Sequence, residues 1–297
     1  MDRLHQMNVF VAVAEEAGFA AGARRLQMSP PAVTRTVAAL EKRLGVKLFN
    51  RTTRYVRTTD AGVRYLADAR IILAAADNAD QAAAGINADP RGHLAVTAPS
   101  LFGRMFVIPG IIDYLQRYPG TEVSAIFLDR VVNLLEEGLD VGVRIGELPD
   151  SSMRAVRVGS VRLVVCAATA YLEEHGLPQR PEDLLEHPVV TSSAGSDFHN
   201  WRFAGPNKRP LPIEPRLTVT TNDAAIEAVV HGFGITRLLS YQIAPYLANG
   251  ELKVLLPDYE PAPRPVHILH REGRYASARI RTFVDLLAER LRAALND

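Results

Sequence analysis

Apolar positions in the first sixty residues recur at helical spacing, and turn residues separate the runs. Leu4, Met7, Val9, Phe10 and Val13 give one apolar face to a helix over residues 3–16. Residues 17–26 read as a second helix, in which Ala21, Ala23 and Leu26 face inward and small side chains let helices approach closely. Gln27-Met28-Ser29 reads as a tight turn, and residues 30–44 as a third helix. Ser29 suits its N-cap, and Pro30 its first position, where no N–H is needed. Val33, Val37, Leu40 and Leu44 bury one face. Gly45 ends that helix, Val46-Lys47-Leu48-Phe49 returns along the core, and Tyr55-Val56-Arg57-Thr58 reads as a short strand.

Thr59-Asp60 carries the hydroxyl and the early acid of a helix start. From Ala61 to about Ile86 the chain is alanine-rich, with Leu66, Ala69, Leu73, Ala76 and Ala83 close to a heptad seam. So narrow a stripe predicts pairing with another helix; the alternative is a solvated linker. Asp89-Pro90-Arg91-Gly92 forms a boundary. Beyond it, strands over 93–98, 122–128 and 141–145 alternate with helices over 100–117 and 131–137. A second set has strands over 162–168 and 235–238 and helices over 169–175 and 222–231. A last strand over 266–270 and a last helix over 276–295 follow. This alternation predicts parallel α/β units in two lobes, with a ligand cleft beyond the strand ends.

Charge sharpens the division. The net +1 splits into ten Lys/Arg against five Asp/Glu in residues 1–60, then 24 against 28 in the remainder. A basic head suits phosphate, and the slightly acidic body does not. Cys166 is the single cysteine, inside an apolar run, so no disulfide forms within the chain. The N-terminus lacks a signal-peptide core and no apolar run is long enough to cross a membrane, which predicts a cytoplasmic protein.

Catalytic templates fit badly, and the expectation is a non-enzyme with no catalytic residues, metal or cofactor. Neither a nucleophile elbow nor a phosphate-binding loop is present. His267 and His270 sit three apart in a strand and point to opposite faces. Nucleic acid fits better. Arg35 is placed for guanine edges or phosphate, and Thr34 and Thr36 for thymine methyls or phosphate oxygens. The Pro30-Pro31 step brings a helix N-terminus toward the duplex. Arg51, Arg54 and Arg57 suit backbone or minor-groove contacts, although Arg51 could equally support the core beside Phe49. In the cleft, Ser100-Leu101 and Asn222 open helices and offer an anion hydroxyl, amide and free N–H groups; ordinary N-capping is the alternative. Asp129 and Arg144 are weaker candidates, and Arg144 could simply pair with a carboxylate.

Phe10-Val11-Ala12-Val13-Ala14, Gly18 to Leu26, Ser29-Pro30-Pro31-Ala32-Val33-Thr34-Arg35 and Leu40 to Arg51 together resemble the N-terminal domain of LysR-type transcriptional regulators. Thr58-Thr59-Asp60-Ala61-Gly62 is similar to the start of that family's linker helix. Asp129-Arg130-Val131-Val132 and residues 140–146 continue the resemblance more loosely. It implies an α+β multidomain chain. Residues 1–59 would be a winged helix-turn-helix and 60–89 a dimerising linker helix. Residues 90–297 would be a two-lobed α/β effector domain like periplasmic binding proteins. Lobe I would take about 92–163 and 267–297, and lobe II about 164–266.

The resemblance also implies a homodimer assembling to a homotetramer, an imperfect palindrome in double-stranded DNA, a small-molecule effector, and RNA polymerase as partner if the protein activates. It places Pro30, Pro31, Thr34, Arg35 and the wing around Arg54 near DNA, and Ser100, Asp129 and Asn222 near the effector. Ala20 stands where the family usually has Ser and Thr34 where Ser is common. Gly22 replaces Ala at a helical cost of about 1 kcal/mol. A solute-binding protein whose basic head only packs, and a two-lobed enzyme, are the rival readings. Both leave the segregated charge unexplained.

Overall fold

A computed structural model describes residues 2–51, 56–83, 89–148, 153–194, 200–205, 210–270 and 277–296. The chain forms two compact units, the first built mainly from Met1–Ala88 and the second from most of the remainder.

The first unit contains α1 (Arg3–Glu15), α2 (Phe19–Arg25), α3 (Pro30–Leu44), β1 (Phe49–Arg51), β2 (Val56–Thr58) and α4 (Asp60–Ala83). Its core gathers Val9, Phe10, Val13, Ala23, Val33, Val37 and Leu40 with Leu48 and Phe49. These are the apolar positions whose spacing marked the helices. Helix α1 ends in a Schellman motif: Gly18 N–H donates to Val13 O (3.2 Å), Ala17 N–H to Ala14 O (3.3 Å), and Ala17 sits at φ 48°. The turn between α2 and α3 repeats the device with Gln27 at φ 53° and Met28 N–H on Ala23 O (2.9 Å). Gly45, at φ 71°, supplies the left-handed residue that ends α3. A Cβ on Gly22 would stand 3.0 Å from Val13 Cα and Cγ2. The helical cost of that glycine is therefore set against an α1–α2 approach too tight for an unmoved methyl.

Thr59 starts α4 as its residue type predicts. Its hydroxyl donates to Lys47 O (2.7 Å) and accepts from Gly62 N–H (2.9 Å). Part of the heptad stripe is spent inside the chain: Ala69 is fully buried, and Tyr65, Leu66 and Leu73 pack on the same core as α1. A carboxylate ties three helices together. Glu15 accepts from Arg70 of α4 (2.8 and 3.0 Å) and from Arg25 of α2 (2.7 Å).

The second unit begins with β3 (Gly92–Ala98). A helix of three parts follows, α5 (Ser100–Phe102), a π segment (Gly103–Val107) and α6 (Ile108–Arg117). Then come β4 (Thr121–Phe127), β5 (Val141–Ile145), β6 (Arg154–Val161), β7 (Leu163–Ala168), α7 (Thr169–His175), β8 (Val190–Ser192), β9 (Asn200–Trp201), β10 (Leu211–Pro212) and β11 (Leu217–Val219). The chain closes with α8 (Asn222–Val230), β12 (Ile235–Leu239), α9 (Ser240–Ala248), β13 (Leu252–Leu255), β14 (Arg264–His270) and α10 (Ala278–Asn296). One sheet has the order β4-β3-β5-β14-β6 and another β12-β7-β13. The parallel pair β11-β8 meets the latter through an isolated bridge between Val189 and Ile235.

Two expectations are corrected. The sheets are mixed rather than parallel: β3 is parallel to β4 and β5, but β14 is antiparallel to β5 and β6, and β7 to β12 and β13. Strand β14 returns to the first sheet after the chain has run through the second, and enters it reversed. The helix expected over 131–137 is absent. Val131 is 87% exposed, and only Val132, Leu134 and Leu139 turn inward as a small cluster with Leu269. Leu139 N–H closes the turn on Leu134 O (2.9 Å).

Candidate functional site

Helix α3 presents its N-terminal turn outward, with Pro30, Pro31 and Arg35 exposed. Ser29 occupies the N-cap position, yet its side chain makes no cap hydrogen bond. Thr34 is half-buried and its hydroxyl donates to Pro30 O (3.0 Å). Thr36 corrects the sequence reading. It is 5% exposed and its hydroxyl donates to Ala32 O (3.0 Å). Three residues after Val33 and four before Leu40, it shares their buried face and is not available to a duplex. Arg57 is exposed on β2, across from Asn50. The Arg51 side chain and all of Arg54 lie outside the described residues.

A buried carboxylate sets the join between α3 and β1. Glu41 is 3% exposed; its Oε1 accepts from Leu48 N–H (2.9 Å) and Phe49 N–H (3.2 Å), and its Oε2 from Lys47 (2.9 Å). Burial pushes its pKa up, but Lys47 and the two amides together outweigh that and hold it below the usual glutamate range.

In the second unit a cavity of about 190 Å³ opens between the two sheets. Asp129 and Asn222 line it, as expected. Asp129 Oδ1 accepts from Ser100 N–H (2.9 Å), which fixes the strand-to-helix corner. The other three candidates fall away from the cavity wall. Ser100 turns its hydroxyl toward Phe127 O (3.5 Å), and Leu101 is 7% exposed within the apolar core. Arg144 donates to the Val132 carbonyl on the far face of its strand. Simple N-capping does not describe Ser100 or Asn222 either, since Pro99 and Thr221 hold the cap positions.

Cationic and aromatic groups complete the wall. Arg237 and Arg264 line the cavity together with Thr191, Ser192, Trp201, Tyr241 and Gln242. The Arg237 guanidinium lies over the Trp201 ring, 4.9 Å from its centroid, and donates to Arg202 O (3.3 Å). Gln242 accepts from Leu239 N–H (2.9 Å). Tyr241 packs edge-on against Phe102, 5.2 Å between centroids, and burial pushes its phenol pKa up, so it stays neutral. Two guanidinium groups against one carboxylate make the described wall net cationic.

Comparison with known proteins decides the family. A family model described as "Bacterial regulatory helix-turn-helix protein, lysR family" matches residues 4–63, and one described as "LysR substrate binding domain" matches residues 87–292. The chain is a LysR-type transcriptional regulator. It is 32% identical over 291 residues to the HTH-type transcriptional activator AaeR of Escherichia coli, across 97% of this chain and 94% of that protein. The solved structure of CrgA, a LysR-type regulator from Neisseria meningitidis, is 30% identical with a TM-score of 0.63, covering 97% and 98% of the two chains. The Vibrio cholerae virulence activator AphB shares the fold at 22% identity and a TM-score of 0.63, covering 97% and 99%.

The regulator therefore joins a DNA-binding helix-turn-helix to an effector-binding domain. Its relatives control transcription, and no helix among the described residues is long and apolar enough to cross a membrane. Arg237 was legible as a lone charge inside the apolar run Ile235–Leu239, and Trp201 as the single tryptophan. Arg264, Tyr241 and Gln242 carried no local signal, because they meet the cavity only through topology.

Proposed function

We propose that the regulator reads an imperfect DNA palindrome with α3 and its wing, and that a small anion, such as a carboxylate, controls it from the cavity. The pairing of Arg237 and Arg264 against the single Asp129, whose Oδ1 already serves Ser100, carries the effector reading. An anion entering this wall meets two guanidinium donors in a half-buried setting, where charge-assisted bonds are strong. Asn222 supplies an amide at the same wall.

On the DNA side, Pro30, Pro31, Thr34 and Arg35 form the reading edge of α3, and Arg51, Arg54 and Arg57 follow the backbone from the wing. Residues 1–59 act as the DNA-binding domain, 60–89 as the linker and 90–297 as the effector domain. Val63 (56%) and Ile72 (42%) remain exposed on α4, which supports pairing with a second copy and assembly to a homotetramer in the cytoplasm. Effector binding shifts the lobes, re-spaces the DNA-binding heads and changes polymerase access. The protein performs no chemistry on its ligand.

A thermal-shift screen of small carboxylates tests the effector reading, run on the natural protein and on Arg237→Gln. Hits that stabilise the natural protein and lose most of their effect in the variant support it. Stabilisation undiminished in Arg237→Gln contradicts it.

A further inference from the structure

One rung of the first sheet sets three basic side chains abreast. Arg144 of β5 is the register partner of His267 of β14, and His267 is the partner of Arg157 of β6. Directly opposed residues on neighbouring strands project to the same face, with Cβ atoms about 5 Å apart, and like charges so placed repel. The outermost of the three, Arg157, is exposed and has no ion-pair partner among the described residues. Arg144, at the other end, leans to the Val132 carbonyl.

His267 between them is half-buried, and its Nδ1 is enclosed with no hydrogen-bond partner. The tautomer that leaves no buried donor unpaired carries the proton on Nε2. Burial, and then the Arg157 charge, lower its pKa against the opposing pull of Glu147, so the ring is neutral. The rung thus offers a guanidinium and an imidazole N–H side by side.

This is not the effector cavity. Ile145 and Arg264, which line that cavity, are one residue from Arg144 and three from His267. The pairing of β14 with β5 is unbroken across Val266 and His267, the bulge at this point lying in the pairing of β14 with β6, so odd steps along these two strands place Ile145 and Arg264 on the opposite face. On the His267 face, Leu269 lies two residues on, in the apolar cluster with Val132, Leu134 and Leu139 against which Leu148 and Met153 pack. An anion with a small apolar body would find both halves of its surface matched.

We propose that Arg157 and His267, backed by the charge of Arg144, form a second binding site for a small oxyanion, a carboxylate or a phosphate, on the sheet face away from the effector cavity. The test is histidine ring NMR on the full-length protein, with the His267 signal identified by its loss in His267→Gln. Inorganic phosphate and acetate are titrated in separate arms, with ionic strength held constant by sodium chloride. A saturable shift of the His267 signal in either arm is expected, and the arm that saturates names the oxyanion. Its affinity should fall about tenfold or more in Arg157→Gln, for the loss of one charge-assisted donor. The same titration should be unchanged in Arg237→Gln, which alters only the cavity. A shift that never saturates, or one that survives Arg157→Gln, overturns the proposal.

Discussion

Replacing Glu41 with alanine should loosen the DNA-binding unit at one joint, and the size of the effect follows from three hydrogen bonds. The carboxylate is 3% exposed and holds the Leu48 and Phe49 amides on one oxygen and Lys47 on the other. Alanine leaves two amides without a partner in a buried place, at roughly 1–3 kcal/mol each, so about 2–6 kcal/mol together. Lys47 is 77% exposed, so its ion pair adds at most about 1 kcal/mol. Glu41→Gln keeps an oxygen for both amides and loses only that pair, so it should cost about 1 kcal/mol. Calorimetry of the full-length protein reads the difference, and hydrogen exchange at Leu48 and Phe49 localises it. The sign with pH follows from the lowered pKa. Stability contributed by Glu41 is complete above the unfolded glutamate pKa of about 4.3 and is lost as pH falls through the lower folded value. Acid destabilisation of this unit should therefore be milder in Glu41→Gln. Equal losses in the alanine and glutamine variants, with amide protection unchanged in both, would mean that the carboxylate does not hold these two amides.

Ala17 holds the left-handed position of the Schellman motif without being glycine, so Ala17→Gly should raise stability by about 1 kcal/mol, measured by denaturant unfolding. Burial pushes the Cys166 thiol up to about 12, so a thiol reagent should leave the native protein unlabelled at neutral pH and react once it is unfolded. Gly62→Ala would place a Cβ 2.1 Å from Leu48 O, and it should unfold the start of α4, seen as lost amide protection there.

The DNA-binding unit was legible because its signals are local. Ser29-Pro30 opens α3 and Gly45 closes it, and the observed helix runs Pro30–Leu44 as read. The Thr36 assignment failed although its neighbours marked it as inward: a polar residue type outweighed its place among Val33, Val37 and Leu40. The second unit was less legible. Strand β6 hides in Arg-Ala-Val-Arg-Val-Gly-Ser-Val, where arginines and a glycine interrupt the apolar alternation, and α9 carries Pro245 within it. The cavity draws on segments as distant as Pro99 and Arg264, and pairing across such distances leaves no trace in spacing. Asp129 and Asn222 stand where a strand ends and a helix opens, places that local spacing marks and to which the family resemblance points as well. Arg144 was misplaced because the face a strand residue takes depends on a register that the sequence does not display, and Leu101 because the helix it opens turns it into the apolar core.

Binding to DNA from beside its own gene, followed across a salt series, separates a sequence-reading regulator from a protein whose basic head only packs. The natural protein and a Thr34→Ala, Arg35→Ala double variant should be compared on specific and scrambled fragments. The natural protein should bind tightly and sequence-selectively, more weakly as salt rises, and the variant should lose that selectivity. Weak binding that is equal on all fragments and the same in both proteins would contradict it.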